Sequence, residues 1–226
     1  MSKIALMRNT PLFAGLSDLE VDALADCMGK RKFARSMIIF HKGSLGQNLY
    51  LIETGRVRIY SLSTEGKEIT INMVSPGEAF GEMSLLDGLP RSAGAMAVEN
   101  TVVYTLHRDD FLRQLDSNPR MARSILELVT TRLRYTTVLA ESFAFMDAPG
   151  RVAAKLLELV NRYGAGVGKN EIELRLTQRE LASWVAVSRE SVNKVLGAFR
   201  DQGMIKIDGG VITIKDQGSL EKLSSY

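Results

Sequence analysis

The chain has 226 residues, a single cysteine (Cys27) and a formal net charge of +3. That length accommodates two domains with their own cores, while one thiol excludes a disulfide framework and a multi-thiolate metal centre. No apolar run approaches the ~20 residues of a membrane span, and the opening MSKIALMRNT lacks the apolar region of a secretory signal, so a reducing cytoplasm is the expected compartment and a membrane is not an expected partner.

Residues 1 to about 30 read as helical. Ser17-Asp18-Leu19-Glu20 has the pattern of a capping box, and Leu16, Leu19, Leu24 and Met28 share one apolar face. From Phe33 to about His107 the texture changes to short β-type runs, among them Met37-Ile38-Ile39-Phe40, Leu49-Tyr50-Leu51-Ile52, Val57-Arg58-Ile59-Tyr60 and Ile69 to Val74. Turn signals separate them at Lys42-Gly43, Thr54-Gly55, Glu65-Gly66 and Pro76-Gly77. Many short strands with regular turns predict a small antiparallel barrel or roll, not a doubly wound sheet.

A long helix is predicted from Pro119 to Met146, with Pro119 in the first turn, where its missing N–H costs nothing. Leu126, Val129, Leu133, Thr136, Ala140 and Phe143 form a heptad-like seam. A second stripe, Ile125, Leu128, Tyr135, Leu139 and Met146, lies beside it. Two stripes suit a helix that packs on its own barrel and on a twin; one wide stripe inside a monomer core is the other reading. Asp147 is a suitable N-cap for a further helix carrying Val152, Leu156, Leu157 and Val160, so the domain boundary falls at 147. Beyond a glycine-rich connection (163–168) come a short strand-like stretch at 171–176, two helical segments at 178–184 and 189–202, and a terminal hairpin from Met204 to Ile214.

Two motifs carry chemistry. The first runs Phe80-Gly81-Glu82-Met83-Ser84-Leu85-Leu86-Asp87-Gly88-Leu89-Pro90-Arg91-Ser92-Ala93. A glycine opening a short helix presents backbone N–H groups to an anion. Arg91 can hold a phosphate through its guanidinium fork, with Ser92 adding a hydroxyl. Glu82, an acceptor, suits a ribose hydroxyl. Together they describe a nucleotide with a single phosphate, although a salt bridge between Arg91 and Glu82 across a turn fits the spacing too. In the second motif, Thr177 caps a short helix with Glu180 in the reciprocal position, a tight turn follows at Val185-Ala186-Val187, and Ser188 caps a second helix with Val192, Val195, Leu196 and Phe199 inside. Arg189, Glu190, Ser191 and Lys194 face outward on its first turns. This is the layout of a helix-turn-helix, in which polar N-terminal residues of the second helix reach base edges and capping hydroxyls touch phosphates. Arg189 and Lys194 suit guanine and Glu190 a cytosine amino group; an ordinary solvated hairpin is the bland alternative.

These residues resemble the cyclic AMP receptor protein (Crp/Fnr) family, from Pro11-Leu12-Phe13-Ala14-Gly15-Leu16-Ser17 through the terminal hairpin. The Gly-Glu…Pro-Arg-Ser-Ala cassette and the Ser-Arg-Glu-Ser-Val run carry the likeness most specifically. The resemblance implies an α+β chain: an N-terminal β-roll (a double-stranded β-helix) over residues 1–118 that binds a cyclic nucleotide, a dimerisation helix over 119–146 and a C-terminal winged helix-turn-helix over 147–226. It assigns Gly81 and Glu82 to the ribose and Arg91 and Ser92 to the cyclic phosphate, with Met83, Ser84 and Ala93 as further ligand contacts. Thr136 and Thr137 match a hydroxyl pair that meets the base from two subunits. On the DNA side it implies Thr177, Gln178, Arg179, Ser188, Arg189, Glu190, Ser191 and Lys194.

The implied function is that of a transcription regulator, a homodimer on double-stranded DNA with RNA polymerase as a further partner, controlled by cyclic AMP. Control by cyclic GMP or cyclic di-GMP, or no effector at all, is the alternative. Lys194 departs from the arginine of the best-known member, and the connection between Glu82 and Arg91 looks shorter than in that member. There is no N-terminal cysteine cluster of the kind iron–sulfur members carry. His41 and His107 are isolated, so no haem, iron–sulfur cluster or other metal is expected. A phosphate-loop likeness at 164–169 fails on Tyr163 and Asn170. Ser191-x-x-Lys194 matches an acylating-enzyme pattern but has no companion motif; an enzyme is not expected.

Overall fold

The computed structural model describes residues 2–163, 171–172, 177–208 and 211–225. Two compact units result, Met1–Gly66 with Ile71–Arg134, and Lys67–Thr70 with Tyr135–Tyr226.

The first unit opens with helix α1 (Lys3–Arg8), a single 3₁₀ turn (Pro11–Phe13) and helix α2 (Asp18–Cys27). Ser17 and Glu20 close the expected capping box at the start of α2, a cap worth about 1 kcal/mol. Strands β1 (Gly29–Phe33), β2 (Ile38–Phe40), β3 (Asn48–Thr54), β4 (Val57–Leu62), β5 (Glu68–Val74), β6 (Ala79–Phe80), β7 (Gly94–Ala97) and β8 (Thr101–His107) form two four-stranded sheets, ordered β1-β8-β3-β6 and β2-β7-β4-β5. The turns fall at Gly43, Gly55, Gly66 and Gly77, all at positive φ. This is the roll that the short runs and turn signals predict.

β3 sits inside the first sheet and is buried on both faces, because its side chains alternate between two cores. Tyr50 and Ile52 join Val57, Val74, Phe80, Ala95 and Val103 in one cluster, with Phe33, Ile39, Phe40 and Ile59 packed against it. Leu49 and Leu51 turn the other way, toward Leu6, Phe13, Leu24, Phe111, Met121 and Ile125. Those residues come from the helices, including α4 (Arg108–Ser117) and the long α5 (Pro119–Phe145). No sequence pattern predicts a helix over 108–118; the one there is capped by His107, whose Nδ1 accepts from the Asp109 N–H. On α5 the two predicted stripes differ in burial. Ile125 is buried and Leu128 packs on the core, whereas Leu126, Val129 and Leu133 are exposed.

In the second unit, Asp147 caps helix α6 (Ala148–Tyr163), its Oδ1 accepting from the Gly150 N–H at 2.9 Å. Helices α7 (Gln178–Val185) and α8 (Arg189–Asp201) follow, then β10 (Ile205–Asp208) and β11 (Val211–Ile214), with β9 (Glu171–Ile172) completing a sheet ordered β10-β11-β9. The rest of the predicted strand-like stretch, 173–176, the glycine-rich connection at 164–168 and the hairpin tip at 209–210 lie outside the described residues. A short helix outside the predicted elements, α9 (Gln217–Leu223), packs on α6, with Leu220 fully buried. Thr70 belongs to this unit through Ser183, hydroxyl to hydroxyl at 2.8 Å. Among the described residues, no helix is long and apolar enough to cross a membrane.

Candidate functional site

Three strands of the roll each send an aromatic ring to one place. Tyr50 from β3 and Phe80 from β6 stack with centroids 5.0 Å apart, and Phe40 from β2 leans on both at 5.6 and 6.0 Å. The Arg91 guanidinium lies 4.3 Å from the Phe40 ring centroid and 5.7 Å from that of Tyr50, within cation–π range. Arg91 is 4% exposed.

Its hydrogen bonds run to backbone. Nη1 donates to the Gly81 carbonyl at 2.6 Å and Nη2 to the Asn48 carbonyl at 2.7 Å. Nε is buried and has no hydrogen-bond partner among the described residues. Burial pulls the guanidinium below its ordinary pKa, with Tyr50 and Glu82 acting in the opposite direction, yet an arginine remains cationic at neutral pH. The group is thus a fixed positive charge with an unsatisfied donor, costly unless an anion completes it.

Two glycines make the slot. Gly81 has φ +84, and a Cβ there would stand 2.7 Å from Arg91 Nη1. A Cβ on Gly46 would stand 2.9 Å from Arg91 Nε and Cζ and 2.5 Å from Ser84 Cβ. Only glycine lets backbone approach a guanidinium so closely.

The salt bridge between Glu82 and Arg91 that stood as the alternative reading does not form. Glu82, 1% exposed, instead pairs with Arg132 Nη1 from α5, and Arg132 Nη2 donates to the Ala79 carbonyl. Between these groups lies a cavity of about 60 Å³. Gly81, Glu82, Met83, Ser84, Arg91, Ser92 and Ala93 all line it, together with Phe40, Ile59, Phe80 and Arg132. Ser92 is exposed, its hydroxyl 3.5 Å from Met83 Sδ. Glu82 caps the five-residue helix α3 (Met83–Asp87) with helical backbone and no side-chain cap. Thr136 and Thr137 follow Arg132 on α5 by four and five positions and are exposed.

Arg132 is not among the residues that the sequence motifs single out, although the chain carries a signal for it. It stands between Leu128 and Tyr135 at the position where the inner stripe should show an apolar residue, so the stripe skips one step at a cation. Gly46, Asn48 and the aromatic trio carried no local signal, because they converge from separate strands.

In the second unit α7 and α8 meet at Ala186, a left-handed residue (φ +51), and both helices are capped as expected. Thr177 Oγ1 accepts from the Glu180 N–H at 3.2 Å while Glu180 Oε2 accepts from the Thr177 N–H at 2.7 Å. Ser188 Oγ accepts from the Ser191 N–H at 3.1 Å. Val192, Val195, Leu196 and Phe199 are buried, which turns Arg189, Glu190 and Lys194 outward. Thr177, Gln178, Arg179 and Ser188 are exposed, and Ser191 is half-buried. The Glu190 carboxyl is held below the usual carboxylate range by its own backbone N–H and by the Ser188 hydroxyl, so it stays an acceptor in mildly acidic solution. Among the described residues no group of three or more His, Cys, Asp and Glu could hold a metal ion.

Residues 30–118 match the cyclic nucleotide-binding domain and residues 150–223 the Crp-like helix-turn-helix domain. The cyclic AMP receptor protein of Thermus thermophilus is 36% identical over 218 residues, 96% of this chain and 98% of that protein. The CRP-like cAMP-activated global transcriptional regulator of Mycobacterium tuberculosis is 31% identical over 218 residues, 96% of this chain and 97% of that one. Among solved structures, the c-di-GMP responsive global regulator CLP of Xanthomonas campestris has a TM-score of 0.76 at 22% identity, covering 88% of this chain and 99% of that chain, a likeness of fold. These homologues are transcriptional regulators and not enzymes. With a nucleotide-binding roll followed by a helix-turn-helix, and with relatives matched nearly end to end, the chain belongs to the Crp/Fnr family of DNA-binding transcription regulators.

Proposed function

We propose that this regulator is controlled by cyclic AMP, held beside Arg91. The single observation that carries the reading is the buried Arg91 guanidinium, carbonyl-bonded at both Nη atoms and unsatisfied at Nε, at the wall of a cavity. A monoanionic phosphodiester supplies the missing acceptor, and the Ser92 hydroxyl stands next to it in sequence to add a donor. Glu82 and Gly81 take the ribose, and Met83, Ser84 and Ala93 complete the wall. Thr136 and Thr137 are assigned to the base on the resemblance alone. At about 60 Å³ the cavity is well below the roughly 300–1,000 Å³ of small-molecule pockets, so entry of a nucleotide requires its lining to open.

The working form is a homodimer in the cytoplasm. Leu126, Val129 and Leu133 are exposed at heptad spacing, and a second copy of α5 is the natural cover for that seam. Two recognition helices about 34 Å apart would then fit a two-fold site on double-stranded DNA. There Arg189, Glu190 and Lys194 would read bases. Thr177, Gln178, Arg179, Ser188 and Ser191 would contact the backbone. RNA polymerase is the partner that the bound dimer would address.

The test is calorimetric titration of the purified protein with cyclic AMP, cyclic GMP and cyclic di-GMP, alongside DNA binding to sites selected from a random pool. Cyclic AMP is expected to bind and to raise DNA affinity about 5- to 150-fold, and Arg91→Ala to abolish both effects. An Arg91→Ala protein that still responds to cyclic AMP overturns the site assignment; tighter binding of another cyclic nucleotide overturns the effector.

A further inference from the structure

Lys155, on α6, is buried, its side chain 6% exposed. Lysine is almost never fully buried without partners, and an ammonium taken out of water needs each of its donors answered. Here Nζ lies 2.7 Å from Glu158 Oε2, 3.2 Å from Tyr135 Oη and 3.6 Å from the centroid of the Trp184 ring. Carboxylate, phenol and indole face thus surround one charge from three directions.

The partners sit on three elements. Tyr135 belongs to α5 and directly precedes Thr136 and Thr137; Glu158 belongs to α6 itself; Trp184 belongs to α7, the first helix of the helix-turn-helix. An apolar residue at 155 could fill the volume and would tolerate sliding of one helix past another. A hydrogen-bonded ammonium is directional: a shift of about 1 Å in α5 takes the Tyr135 contact out of hydrogen-bond range. Such a contact is made or broken by a small displacement, which is a property that a relay between two sites can use.

We propose that Lys155 is a positioning residue that couples α5 to the DNA-reading helices, so that nucleotide occupancy is transmitted through the Tyr135–Lys155–Trp184 joint. The proposal deepens the cyclic-nucleotide reading and rests on it. It also carries its own reporter, since Trp184 is the chain's only tryptophan and lies under the ammonium.

The experiment uses the full-length wild type, Lys155→Met, Lys155→Arg and Tyr135→Phe. Cyclic AMP affinity is measured without DNA, DNA affinity with and without cyclic AMP, and Trp184 emission on nucleotide addition. In Lys155→Met the DNA-free nucleotide affinity is expected to stay within about 2-fold of wild type while the coupling, of the order of 5- to 150-fold, falls to within about 2-fold of unity and the emission change disappears. Lys155→Arg, which keeps a cation over the indole, is expected to recover part of the coupling, and Tyr135→Phe to lose part of it. Wild-type coupling in Lys155→Met overturns the proposal; should that variant fail to fold, wild-type coupling in Tyr135→Phe overturns it instead. If the wild type itself does not respond to cyclic AMP, the effector reading is the one that fails. The joint is then decided by a double-mutant cycle of Tyr135→Phe and Lys155→Met on nucleotide-free DNA affinity, where additivity overturns it and non-additivity supports it.

Discussion

Arg132 holds the carboxylate of Glu82, leaving Arg91 to bind carbonyl oxygens and keep one donor open. The two arginines are thereby differently engaged: one neutralises the buried acid, and the other is left for the phosphate proposed above. Had Glu82 and Arg91 paired with each other, their charges would have cancelled and no phosphate would be favoured there.

Arg132→Gln leaves Glu82 buried with an uncompensated charge and removes a cation from the cavity wall. A cation lost from the wall that would face the proposed phosphate removes an attraction on the scale of a charge-assisted contact, about 1.5–3 kcal/mol, which corresponds to cyclic AMP binding weakened by about 10- to 150-fold. Calorimetric titration of the variant checks this; affinity within 2-fold of wild type would show that Arg132 serves structure alone.

Gly46→Ala places a methyl group against Arg91 and Ser84 at distances too short for contact. Overpacking of this kind costs about 1–3 kcal/mol. Of the two neighbours, Ser84 is met at its Cβ beside the backbone and Arg91 at its guanidinium, the far end of a flexible side chain, so displacement is expected at the proposed anion site. The expected result is a lowered melting temperature together with weaker nucleotide binding. A variant that melts lower but binds normally would mean that Ser84 yields and Arg91 does not.

Arg189 distinguishes base reading from phosphate binding. If Arg189 meets guanine, Arg189→Ala costs about 1–3 kcal/mol per half-site on specific DNA and leaves the salt dependence nearly unchanged. A phosphate contact would instead weaken all sequences alike and reduce the salt slope by about one. Binding titrations on specific and random DNA over a salt series decide which holds.

Glu20 gives a pH dependence with a definite sign. Its carboxylate accepts from the Ser17 hydroxyl and N–H, each at 2.7 Å, and from Asn118 Nδ2 at 3.0 Å. The Ser17 hydroxyl, then the Ser17 N–H and Asn118, hold it below its ordinary value of 4.5. A depressed folded-state pKa means the contribution is complete above the unfolded value and is lost as pH falls through the folded one. The stability difference between wild type and Glu20→Gln should therefore be constant from neutral pH down to about 5 and shrink below about 4.5. Denaturant unfolding across that range checks it; a gap that widens in acid would reverse the sign.

Much of this architecture was legible in the chain. Capping boxes at Ser17–Glu20 and Thr177–Glu180, turn glycines and the two stripes of α5 are local signals, and each appears where its pattern predicts. Helix α4 was missed because its apolar face is thin: Phe111 is its one fully buried side chain, and Arg108, Asp109, Asp110 and Arg113 dominate its composition. Helix α9 was missed because seven residues give too short a period to read, although Asp216 caps it through Ser219. Within the site, Gly81, Glu82, Arg91 and Ser92 stand in one cassette and were readable together. Phe40, Gly46, Asn48 and Tyr50 were not, since what joins them to Arg91 is strand pairing across the roll.

The slot that receives Arg91 has a bearing on how long the protein persists. Its walls are contributed by segments around residues 46, 48 and 81, which come together only once the roll has closed. A partly unfolded chain has no such slot and cannot bind the anion, so a ligand at 100 times its dissociation constant would stabilise the closed form by about 2.7 kcal/mol. On the proposed control by a cyclic nucleotide, effector concentration would then govern degradation as well as transcription, and the pool of regulator shielded from proteolysis would rise and fall with it.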